Sequence, residues 1–313
     1  MKKNFIPCFL FVFFLFLLVF PLESLEASKQ GLLLWFDTLL PTLLPFLIVS
    51  QLILKTPAIH SVQKLFSPLF TKIFHCSVNG VFCILCGFLC GYPVGARLIS
   101  LQIKEGRLDI HEGQYLLSFC NNVSPMFCIS YGILYAIGSN HILPYLLIIY
   151  GSALLFALIT RPKKSITPVL CAKKQTSSSE NTFQLIDVCI IDSFYILIKL
   201  CGYMILFSII QKGCFLLIPN NQIFSPLFAS FLEITNGLSL IRNTPTGCFR
   251  SASAIAALTF GGLCCIFQTN SVITDTGLSL KKYIIHKILS TCLALCLFFL
   301  WNFFCRFITK GWC

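Results

Sequence analysis

Four stretches of the chain set polar or charged side chains inside apolar runs. Gly91-Tyr92-Pro93-Val94-Gly95-Ala96-Arg97 combines backbone breakers, an aromatic ring and a guanidinium. Cys120-Asn121-Asn122-Val123-Ser124-Pro125 supplies two amides and a hydroxyl, and Leu232-Glu233-Ile234-Thr235-Asn236-Gly237 a carboxyl, a hydroxyl and an amide. Gly261 and Gly262 stand ahead of Gln268 in a fourth run. Broken apolar segments have a specific chemistry: half-helix ends leave backbone N–H and C=O groups free to hold a solute. Arg97 can grip a carboxylate with two parallel N–H groups, Tyr92 can stack on a flat ring, and the amides that follow Gly95 would point a helix dipole at an anion. Each residue also has a structural reading. Arg97 would anchor topology by reaching the headgroups, Asn121 and Asn122 would hydrogen-bond neighbouring helices, and Gly261 and Gly262 would let helices approach closely. Glu233, which costs about 2.5–3.5 kcal/mol to insert at mid-membrane, would bind a coupling proton, pair with Arg97 or sit at an interface.

No H-E-x-x-H run and no nucleophile beside a base is present, so enzymatic chemistry is not expected. The 18 cysteines lie mainly in apolar runs and the five histidines are scattered, so the thiols read as small hydrophobes and neither metal nor cofactor is expected.

The elements that must position these residues are membrane helices. Of 313 residues 57% are hydrophobic and 11% charged, against about a quarter charged in soluble domains. Apolar windows approach or exceed the roughly 20 residues that cross a bilayer at Phe5–Leu22, Leu32–Leu54, Val78–Cys90, Tyr115–Ile137, Ile142–Ile159, Val188–Ile210, Ile223–Leu240, Ser251–Phe267 and Ile284–Phe307. The reading is an all-α polytopic integral membrane protein with about eight membrane helices, counting re-entrant or broken segments, in two weakly similar halves. Its organisation is an N-terminal membrane helix (1–24), a first membrane half (25–160), a basic cytoplasmic linker (161–183) and a second half (184–313). The first window exceeds the usual signal-peptide core and no A-x-A-like site follows it, so it reads as a retained helix.

The net charge of +12 sits in loops between windows, which is the positive-inside pattern and not a nucleic-acid surface. That pattern also bears on Val78–Cys90. A full crossing there would put the basic 161–174 loop outside, whereas a re-entrant turn at Gly91–Gly95 keeps Lys104, Arg107 and that loop inside.

Further motifs complete the picture: Leu25-Glu26-Ala27-Ser28-Lys29-Gln30-Gly31-Leu32 and Leu40-Pro41-Thr42-Leu43-Leu44-Pro45-Phe46. Taken in order from Leu25 to Leu289 with the four stretches above, the chain resembles the sporulation integral membrane protein YlbJ (SpoVV) family, whose members carry a nucleoside-recognition, or Gate, domain. Cys90 departs from the small hydroxyl residue expected before the Gly-x-Pro-x-Gly-Ala signature. The resemblance implies a protein of the outer forespore membrane that passes dipicolinic acid, a flat aromatic dicarboxylate. The residues expected to meet it are Gly91, Tyr92, Pro93, Gly95, Arg97, Asn121, Asn122, Ser124, Glu233, Thr235, Asn236, Gly261, Gly262 and Gln268. Beyond that solute and the lipid bilayer, a second copy or other sporulation membrane proteins stay open as partners. Two alternatives remain at this stage: a transporter or channel for nucleosides or another small solute, and a membrane scaffold that transports nothing.

Overall fold

Backbone groups in lipid can be satisfied only within helices or a closed barrel. The computed structural model is helical accordingly, with no strand among its described residues, 2–163, 182–217, 221 and 223–310. The expected linker falls largely on 164–181, outside the described residues.

Helix α1 is Lys2–Val19. Helix α2 (Pro21–Leu34) passes through a π-helical turn, Trp35–Leu39, into α3 (Leu40–Lys55). The following helices are α4 (Ala58–Phe74), α5 (Val78–Cys90), α6 (Val94–Lys104), α7 (Ile110–Cys120), the short turn α8 (Pro125–Phe127) with a π-helical continuation to Ile137, and α9 (Ile142–Thr160). The second half holds α10 (Thr182–Leu217), α11 (Phe224–Leu232), α12 (Ile234–Arg242), α13 (Cys248–Phe260), α14 (Gly262–Ile273) and α15 (Leu280–Lys310). Five stretches are long and apolar enough to cross a membrane: Pro21–Lys55, Ile142–Thr160, Phe183–Leu216, Cys248–Ile273 and Leu280–Cys305. The chain is a polytopic integral membrane protein. Of the other apolar windows, Phe5–Leu22 forms the shorter apolar helix Pro7–Val19 within α1, and the rest are broken or re-entrant.

Three windows that read as single helices are interrupted. Tyr115–Ile137 unwinds at Asn121–Ser124, Ile223–Leu240 turns at Glu233, and Ser251–Phe267 breaks at Gly261. The sequence reading has no element at α4, an amphipathic helix that meets α5 at 94° and exposes Leu65 and Leu69.

Val78–Cys90 does turn back. Asn79 Nδ2, at the start of α5, donates to the Arg107 carbonyl just beyond α6 at 2.8 Å, so the two ends of the segment meet. Between them α5 and α6 lie so close that a Cβ on Gly95 would stand 3.0 Å from Gly87 Cα. The tip is Gly91-Tyr92-Pro93, where Gly91 takes φ +81° and the Tyr92–Pro93 peptide is cis. Helices α11 and α12 form a second hairpin of the same kind. Gly237 packs on the Ser230 backbone, and Glu233 is extended at the tip. Each hairpin is followed by a broken helix, α7–α8 in the first half and α13–α14 in the second.

The hairpins enter from opposite ends of the bundle. At one end His75 Nδ1 lies 2.8 Å from the Pro162 carbonyl oxygen and Ser279 N–H donates to Gln114 Oε1 at 2.7 Å. This end also carries Lys55, Lys104, Arg107, Arg161 and Lys163. At the far end Lys212 pairs with Glu26 at 2.8 Å, Arg242 lies over the Tyr135 ring, and the Tyr145 and Ser251 hydroxyls meet at 3.3 Å. The first hairpin opens at the basic end and the second at the far end, so their tips face each other inside the bundle.

Candidate functional site

All four backbone breaks converge. A Cβ on Gly91, at the first hairpin tip, would stand 2.5 Å from Ser124 N in the first broken helix. One on Gly261, in the second broken helix, would stand 2.9 Å from the Tyr92 hydroxyl, and one on Gly262 would meet the Ser230 carbonyl oxygen at 3.0 Å. Local chemistry makes each break. Gly91 and Gly261 adopt left-handed φ values that cost other residues about 1–2 kcal/mol. Ser124 caps the restart of its helix by accepting from Phe127 N–H at 3.3 Å, with Pro125 in the first position, where a missing N–H costs nothing. Glu233 caps α12, its carboxylate accepting from the N–H groups of Thr235 at 3.0 Å and Asn236 at 2.8 Å.

Between the breaks lies a cavity of about 80 Å³. Tyr92, Ser124, Glu233, Thr235 and Gln268 line it, as do Cys90, Cys265, Thr38, Thr42 and Ser130. Apolar walls come from Leu39, Val123, Phe127, Leu200 and Met204. Glu233 is 2% exposed and meets backbone amides, not Arg97, among the described residues.

Lys287 was not singled out in the sequence, yet it ties this site together. It is 1% exposed, its ammonium donates to the Asn121 carbonyl at 3.2 Å and to Asn122 Oδ1 at 3.1 Å, and it stands 5.0 Å from the centre of the Tyr92 ring. The last carbonyls of α7 lack helical partners and carry the negative end of its dipole, so a cation there satisfies both. Asn121 Nδ2 donates to Thr269 Oγ1 at 2.8 Å and to the Tyr283 hydroxyl at 3.0 Å, joining the same break to α14 and α15. Asn121 and Asn122 therefore bind protein groups, as the inter-helix reading has it.

The other expected site residues lie apart from the cavity. Gly95 packs on Gly87 and on the Cys120 carbonyl, so its missing side chain serves hairpin closure and not approach of a solute. Asn236 lines a larger vestibule of about 570 Å³ toward the far end, together with Asp37, Gln211 and Lys212, and its amide donates to Gln211 Oε1 at 3.0 Å. Arg97 lines a third, small pocket between α6, α10 and α14. Pro93 completes the hairpin tip beside Tyr92.

No protein-family model matches the chain, so the Gate-domain designation has no support beyond the resemblance itself. No solved structure matches it either. Among curated proteins, the sporulation integral membrane protein YlbJ of Bacillus subtilis (strain 168) is 28% identical to it, over 88% of this chain and 78% of the relative. A stretch that long cannot leave out either hairpin or any of the four breaks. With that coverage, and with a helical membrane architecture, the chain is similar over most of its length to a sporulation integral membrane protein.

Proposed function

We propose that the chain passes dipicolinic acid across the outer forespore membrane during spore formation, holding it in the cavity between the four breaks and changing no bond in it. The observation that carries this reading is the convergence itself. Irregular backbone at membrane depth persists where it is buried in protein or lines a watery path, and facing half-helix ends at mid-bundle are the usual construction of a solute site. The cavity's chemistry suits a flat aromatic acid: Tyr92 and Phe127 offer ring faces, and Ser124, Thr235 and Gln268 offer hydrogen bonds. Glu233 sets a condition. Two like charges about 4 Å apart repel by about 4 kcal/mol near a protein surface and by more in the interior. A dianion beside Glu233 therefore calls for a proton on that carboxyl, and passage would be linked to proton movement.

At about 80 Å³ the cavity has room for two or three waters at about 30 Å³ each, less than the solute fills. Admission therefore needs the hairpin tips to move apart, as expected for alternating access. Retention of Lys and Arg on the cytoplasmic side puts the basic end in the mother-cell cytoplasm. Purified protein in liposomes tests the assignment. Dipicolinate is expected to equilibrate across the membrane, faster with an imposed proton gradient, while adenosine and uridine stay excluded. Nucleoside flux without dipicolinate flux would replace the solute, and no flux of either would leave the scaffold reading.

A further inference from the structure

Three cavities follow one another along α10. The vestibule meets Ser208, Gln211 and Lys212, the central cavity meets Leu200 and Met204, and the third pocket meets Tyr195 and Lys199. Neighbouring cavities share one wall residue each, Thr38 between vestibule and centre and Leu200 between centre and third pocket. The third pocket, about 50 Å³ with room for one carboxylate, brings together Arg97, Lys199 and Ser271 on the basic-end side. Lys199 lies 4.4 Å over the Tyr195 ring near the middle of α10, and neither cation makes an ion pair among the described residues. Arg97 Nε is buried without a hydrogen-bond partner among the described residues. Asp192, one turn or two further along α10, is engaged by Lys55 at 3.5 Å. Arg97 is half-buried and the carboxylate whose charge reaches it, Asp192, is shared with Lys55, so an anion entering this pocket would meet a guanidinium whose charge is only partly offset.

We propose that Arg97, Lys199 and Ser271 form a second anion site in series with the central cavity, where a carboxylate of the solute rests on the basic-end side of Leu200. The inference depends on the solute-passing reading above and adds a second stop on the route. The guanidinium supplies a two-pronged grip, the ammonium a point charge and the hydroxyl a further donor.

The test is radiolabelled dipicolinate flux into liposomes at matched protein incorporation, with melting in detergent as the folding control. Lys199 is exposed, so replacing it leaves the core intact. Lys199→Gln is expected to lower the flux about tenfold, as loss of one charge-assisted contact would, while Lys199→Arg stays within about twofold of the parent. Arg97→Gln should fall at least as far, with Arg97→Lys between. Parental flux in Lys199→Gln, or equal loss in the Gln and Arg replacements, would overturn the second site while leaving the route through the cavity standing. Absence of flux in the parent protein would overturn the function proposed above, and this site with it.

Discussion

At Gly261 the backbone turns with φ +85°, and a methyl group there would press on the Tyr92 hydroxyl at 2.9 Å. Gly261→Ala combines a left-handed strain of about 1–3 kcal/mol with displacement of a cavity ring. A lower melting temperature in detergent and a loss of dipicolinate flux are the expected results; unchanged values of both would remove Tyr92 and Gly261 from the site. Residues of this kind were legible because glycine, proline and carboxyl groups stand out in apolar runs. Tyr92, Ser124, Glu233, Thr235 and Gln268 all reach the cavity. Lys287 was not legible, because its partners lie about as far away in sequence as one half of the chain and nothing near it marks a cation in a long helix as buried. Arg97 stands beside a break in the sequence, but a helix rotates successive residues by about a third of a turn, so one turn past the tip it faces α10 and not the centre.

The elements owe their shape to small residues at fixed distances from each tip. Gly87 faces Gly95 in one hairpin and Ser230 faces Gly237 in the other, which brings the paired backbones into contact. Gly95→Val would force a branched side chain against the Cys120 carbonyl oxygen and Gly87 Cα, each already 3.0 Å from its Cβ position. Overpacking of this kind costs about 1–3 kcal/mol. The expected outcome is reduced membrane accumulation or a lower melting temperature, with residual protein showing reduced flux; a stable, accumulating variant that only loses solute affinity would return Gly95 to the binding site. The first hairpin could be inferred from charge alone, since a full crossing would have stranded basic residues on the wrong side. The second could not, because Ile223–Leu240 is long enough to span and carries only Glu233 as a warning. The unwound Asn121–Ser124 segment carries a local signal: Ser followed by Pro is a helix start, so a helix before it must end.

For the whole molecule, the two opposed hairpins leave Lys104 and Lys163 at one end and Asn140 and Asn243 at the other. With native cysteines replaced, a membrane-impermeant maleimide applied from the cytoplasmic side should label Lys104→Cys and Lys163→Cys and spare Asn140→Cys and Asn243→Cys. Labelling of Lys104→Cys from the side opposite to a Lys72→Cys control would contradict the re-entrant hairpin, because a full crossing would carry Lys104 and Lys163 to the other side together. Fold class and the first re-entrant turn were available from composition and charge, whereas the convergence of four breaks was not, since it depends on contacts between halves. That convergence is the central claim, and Thr38 tests it most directly because it lines both the vestibule and the central cavity without being part of either hairpin. Thr38→Trp would fill the junction with an indole. Dipicolinate flux in liposomes is the measurement: at parental incorporation and melting temperature, Thr38→Trp should abolish it, and flux equal to the parent's would mean that the solute does not travel between vestibule and cavity.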